Sequence, residues 1–88
     1  MENTHLTTNK LAAIFVNSLA DNFGFKRDYI AKVAEKVFKK PVCIRGWLNK
    51  NCDVFIGSRD KSVTTEDYAL WQEVCKNLVT HNSHYTHS

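Results

Sequence analysis

Apolar side chains along the chain recur first at helical spacing. Leu11, Phe15, Leu19 and Phe23, joined by Ala12, Val16 and Ala20, fall three and four apart and predict an amphipathic helix over 9–23. Thr7 or Thr8 stands where a side chain can accept the first free amides, and Gly24 follows the last periodic residue as a left-handed stop. A second stripe, Ile30, Val33, Ala34, Val37 and Phe38, predicts a helix over 27–38 that must end before Pro41. Its polar side carries Asp28/Lys32 and Glu35/Lys39 at the four-residue spacing of helical charge pairs. The third stripe is Tyr68, Trp71, Val74, Cys75 and Leu78, a helix over 65–79 opened by Thr64 and Asp67 in the manner of a capping box.

Between the second and third helices the pattern supports two readings. Pro41 at a first helical position would open a short helix over 41–48 with Ile44, Trp47 and Leu48 inward. Alternatively, VCIRGWL (42–48) and CDVFIGS (52–58) are two strands joined by Asn49-Lys50-Asn51. Propensity favours the hairpin, since Val42, Cys43, Ile44 and Gly46 are mediocre or poor helix formers. The expected fold is therefore a helix-dominated α+β single domain. It is either helix-turn-helix or winged-helix-like, or it runs two helices, a β-hairpin and a helix (ααββα). Residues 9–79 form the globular part, with 1–8 and 80–88 as flexible ends.

Charge changes this picture. Of 12 lysines and arginines, eight lie between positions 26 and 50 against two acids, so that window carries +6 within a net charge of +3. Segregated positive charge is the footprint of a surface that meets a polyanion, nucleic acid first; its structural alternative is a solvated lysine-rich helix face. Length limits the chain to one modest core. The longest apolar run, LAAIFV at 11–16, is too short to cross a membrane, and no signal-peptide pattern opens the sequence. A cytoplasmic protein is the expectation. Cys43, Cys52 and Cys75 form no close pair and leave an odd thiol under any single-disulfide scheme, which points to reduced, buried cysteines.

Residues 28–50 can be drawn as a helix-turn-helix, in which a braced first helix precedes one that enters the major groove. In AEKVFKKPVCIRGWLNK, Ala34 takes the close helix contact, Ile44 and Trp47 pack inward, and Arg45 and Asn49 face out. This stretch resembles the helix-turn-helix of phage and bacterial repressors, over about 20 residues, and departs from it in having Phe38 where glycine is usual. The resemblance implies a transcription regulator without cofactor, bound to duplex DNA as a monomer or homodimer. Lys39, Lys40 and Lys50 would hold phosphates, Arg45 and Asn49 would read bases, and Lys36 joins them among the expected DNA-binding residues.

Other chemistry is poorly supported. His81, His84 and His87 follow Cys75 in a polar tail without the paired spacing of a zinc site, and Asp60, Glu66, Asp67 and His5 have no spacing that ties them to a nucleophile. No metal and no enzymatic activity are expected. The competing function is a protein-binding modulator: Tyr29, Phe55, Tyr68 and Trp71 would form an interface where they do not fill the core, and the basic window would meet an acidic partner.

Overall fold

The computed structural model describes residues 6–46 and 50–86, with side chains as far as Thr80. The elements are α1 (Thr8–Phe23), α2 (Arg27–Phe38), β1 (Val42–Arg45), β2 (Asp53–Ile56) and α3 (Thr65–Thr86), the ααββα order.

Local chemistry accounts for most boundaries. The Thr7 hydroxyl accepts from the Lys10 amide at 3.3 Å, and Gly24, at φ 76°, closes α1 by donating to Ala20 O. α2 stops at Lys39, left-handed at φ 57°, two residues before Pro41. Asp67 accepts from the Thr64 amide at 2.8 Å, half of the expected capping box. Two boundaries differ from the expectation. α3 runs on to Thr86, since the polar segment after Val79 contains neither glycine nor proline to break it. At the other end, residues 6–8 are tied down: Thr8 N donates to Lys61 O at 2.7 Å, Val63 N donates to Leu6 O at 3.3 Å, and Thr7 bridges Ser62.

Residues 42–45 are a strand, which replaces the alternative of a helix over 41–48 and with it the groove-entering helix that the repressor resemblance implied. β1 pairs antiparallel with β2 in the register Val42↔Ile56, Cys43↔Phe55, Ile44↔Val54, Arg45↔Asp53. The physical reason is non-local, because β-branched residues at 42 and 44 gain a facing partner at 54 and 56 that a helix would not offer. Trp47, Leu48 and Asn49 lie outside the described residues.

α1 lies along the edge of β2 that β1 leaves open. Gly57 N donates to Pro41 O, so Ile56 and Cys52 direct their amides the other way, where Asn9 Oδ1 and Asn17 Oδ1 accept them at 2.9 and 3.0 Å. Eight residues of helix rise about 12 Å and four of strand about 13 Å, so one asparagine serves each end of the strand. Asn17 also donates to Cys52 O (3.0 Å) and Ala13 O (2.8 Å), and its Oδ1 accepts from Arg27 Nε at 3.2 Å.

The core joins Leu11, Val16 and Leu19 of α1, Ile30 and Ala34 of α2, Val54 and Ile56 of β2, and Trp71, Val74 and Leu78 of α3. Trp71 is 1% exposed, stacked on Phe15 at 5.2 Å and tilted against Phe38 at 5.1 Å. Phe23, expected on the buried stripe, is 63% exposed. It is the last residue of α1, and the left-handed turn at Gly24 brings Phe25 inward instead. Tyr68 likewise leaves the expected stripe for solvent, at the first turn of α3.

Candidate anion-binding corner

The corner begins at the end of α2. Pro41 forbids another helical turn, and Lys39 takes a left-handed conformation that costs a residue with a Cβ roughly 1–2 kcal/mol relative to the right-handed one. Lys40 then leads into β1, and the Gly57 N to Pro41 O bond of 2.8 Å fastens the residue after β2 against this turn. Gly57 is itself left-handed at φ 69°, and a Cβ there would stand 3.4 Å from Lys40 Cδ. The lysine stem therefore lies across the bare glycine, which brings its ammonium to the 57–61 loop.

That loop supplies two further cations. Asp60, between Arg59 and Lys61, turns toward α1, where its Oδ1 accepts from the Asn9 amide and the Thr8 hydroxyl, both at 3.0 Å. Those bonds, the Asn9 amide first, hold its carboxyl below the ordinary aspartate range despite some desolvation. Arg59 and Lys61 line, with Lys40, Pro41, Gly57 and Ser58, an open cleft of ≈ 400 Å³ whose rim carries no carboxylate. The same three cations border a smaller neighbouring cleft of ≈ 220 Å³ that reaches Glu66 and Asp67 at the start of α3. Asp67 is engaged there with the Thr64 amide and hydroxyl.

The residues proposed from the sequence do not form one patch. Lys39 and Lys40 stand at the corner. Lys36 faces a separate groove with Tyr29, Lys32, Val33 and Asn77, between α2 and α3. Arg45 is five residues beyond Lys40, roughly 16 Å along the extended chain, on the outer face of the hairpin with its guanidinium 5.5 Å from the centre of the Phe55 ring. Lys50 is exposed in the connection beyond, where its carbonyl accepts from Arg27 at 2.8 Å. Asn49 lies outside the described residues, as do His5 and the side chains of His81, His84 and His87.

Four residues that matter here were not singled out from the sequence. Arg59 and Lys61 carry no local signal, since their closeness to Lys40 depends on the Gly57–Pro41 contact. Arg27, counted in the basic window, is a structural residue: it bonds Asn17 and Lys50 and lies 3.5 Å from Asp21, the ion pair found among the described residues. Asn17 left a readable trace, a poor helix former in mid-helix next to apolar positions.

Chemically, the corner can hold an anion. Lys40, Arg59 and Lys61 are exposed and have no carboxylate within ion-pair distance among the described residues. No family model matches the sequence, and no curated protein or solved structure matches it. Among the described residues, no helix is long and apolar enough to cross a membrane.

Proposed function

We propose that the protein is a small, non-catalytic, cytoplasmic DNA-binding regulator that engages duplex through its phosphates. The observation that carries this reading is the convergence of Lys40, Arg59 and Lys61 on a cleft without a carboxylate, beside Lys39. With 42–45 a strand in place of the helix over 41–48 that would have read bases, the contacts fall on the backbone and tolerate sequence. Lys36, Arg45 and Lys50 extend the positive field along α2 and the hairpin.

Binding to duplex should weaken with salt at a logarithmic slope of about −0.9 per phosphate contact, or roughly −3 to −4 for Lys39, Lys40, Arg59 and Lys61 together. Alanine at any of these four should flatten the slope by about one unit on every sequence. Lys32→Ala, in the separate groove between α2 and α3, should not. No binding at low salt, or equal losses for Lys32→Ala, would overturn the proposal.

One observation favours a second reading, docking on an acidic partner protein. Phe55 is 38% exposed on the outer hairpin face with Arg45 over its ring, an aromatic–guanidinium pair of the kind enriched in protein interfaces. In that case Phe55→Ala would abolish partner binding while leaving the salt slope on DNA untouched.

A further inference from the structure

The cleft at the corner has more charge than a phosphodiester needs. A diester carries one negative charge, whereas Lys40, Arg59 and Lys61 all line the opening of ≈ 400 Å³ together with Ser58, whose hydroxyl can donate. We infer that this cleft is a seat for a phosphomonoester dianion, a terminal phosphate group on a nucleotide or at the end of a nucleic-acid strand. The inference deepens the basic-corner reading and rests on its premise that the corner meets phosphate.

Three features fit that ligand. The cations come from two segments, the α2–β1 turn and the β2–α3 loop, so they can surround a tetrahedral group instead of tracking a line of charges. Their placement is set in advance: Lys40 is laid across Gly57, and the loop is pinned by Thr8 N to Lys61 O (2.7 Å) and Lys61 N to Thr8 Oγ1 (3.2 Å). The one acid inside the loop, Asp60, is held away by its bonds to Asn9 and Thr8, while Glu66 and Asp67 line the adjoining cleft and not this one, with Asp67 engaged by Thr64. Arginine adds a planar fork suited to two phosphate oxygens at once. The cleft is open, which leaves room for the rest of the molecule to extend into solvent.

The test is a titration of the full chain followed by amide chemical shifts, with AMP as probe and adenosine and sodium chloride of matched ionic strength as controls. AMP should move Gly57–Lys61 and Lys40 in a saturable way, and the controls should not. Affinity should fall about tenfold from pH 7.5 to pH 5, because a phosphomonoester loses its second charge near pH 6. Lys40→Ala, Arg59→Ala and Lys61→Ala should each weaken AMP about three- to tenfold, with Lys32→Ala unchanged. All four side chains are exposed, so the variants fold. Equal shifts with adenosine or chloride, shifts spread over all lysines, or no pH dependence would overturn the inference.

A 5′-phosphorylated duplex compared with its 5′-hydroxyl twin separates the two sources. Preference for the phosphorylated end supports recognition of strand termini, and equal binding of the duplexes alongside saturable AMP supports a free nucleotide. Saturable AMP with no duplex binding at any salt would sink the DNA proposal and leave the phosphate seat standing. Failure with AMP removes the seat whatever the duplex does.

Discussion

Replacing Asn17 by alanine should be among the most damaging single changes outside the apolar core. The side chain is 8% exposed and makes four bonds: to Cys52 N and O, to Ala13 O and to Arg27 Nε. Truncation removes the hydrogen bonds that Asn17 makes to the amide and the carbonyl of Cys52, a residue only 2% exposed, and each such bond lost at a buried group costs about 1–3 kcal/mol. Two effects pull the total down. Alanine is the better helix former by up to about 0.7 kcal/mol, and an open cleft lined by Asn17, Asn51 and Cys52 gives water partial access. A net loss of about 2–4 kcal/mol follows, or a melting temperature lower by roughly 10–25 °C. Asn9→Ala removes a single acceptor, from Ile56 N, and should cost only about 1 kcal/mol. Urea denaturation of both variants checks the ratio, and hydrogen exchange at the Cys52 amide checks the mechanism. A loss under about 1 kcal/mol for Asn17→Ala, with the Cys52 amide still protected, would refute the idea that this asparagine holds the hairpin to α1.

Trp71→Ala should destabilise by about 3–5 kcal/mol, read by thermal or urea melting, because it removes the ring packed between Phe15 and Phe38; a change near zero would mean that α3 is not docked as described. Asp60 gives a pH signature. Its folded pKa is depressed, so its contribution is present above the unfolded value of about 4 and is lost as pH falls through the lower folded value. Asp60→Asn keeps an acceptor but drops the charge, so its stability should trail the parent at pH 6–7, and the gap should start to close near the unfolded value of about 4 and vanish as pH falls through the lower folded one; a gap that stays constant in acid would contradict the assignment.

The features legible in the sequence are those whose cause is local. Thr7, Gly24, Pro41 and the Thr64–Asp67 pair end or begin helices through neighbours one to four residues away, so pattern and capping chemistry place α1 and α2 closely. Residues 42–45 stayed ambiguous because their preference is settled by partners in a second strand, as far downstream as Ile56 is from Val42. The basic corner was half legible for the same reason. Lys39 and Lys40 stand beside the proline that creates the turn, whereas Arg59 and Lys61 join them through a main-chain bond between Pro41 and Gly57. Phe23 shows the finer limit: it fits the apolar stripe of α1, yet the rotation of the chain at Gly24 turns Phe25 inward instead.

The asparagine clasp between α1 and β2 has a kinetic consequence. Asn9 and Ile56 are 47 residues apart, and Asn17 and Cys52 are 35 apart, so the hairpin gains its outer support only after most of the chain has been drawn together. A lone four-residue hairpin is marginal in water, and Trp71 cannot be covered until Phe15 arrives from the opposite end of the sequence. Folding should therefore be slower than its helical content suggests, with a transition state in which α1, β2 and α3 meet together. Such a chain has little to gain from assembling in halves: α1 leaves the ribosome before α3 and must wait, apolar face uncovered, for it.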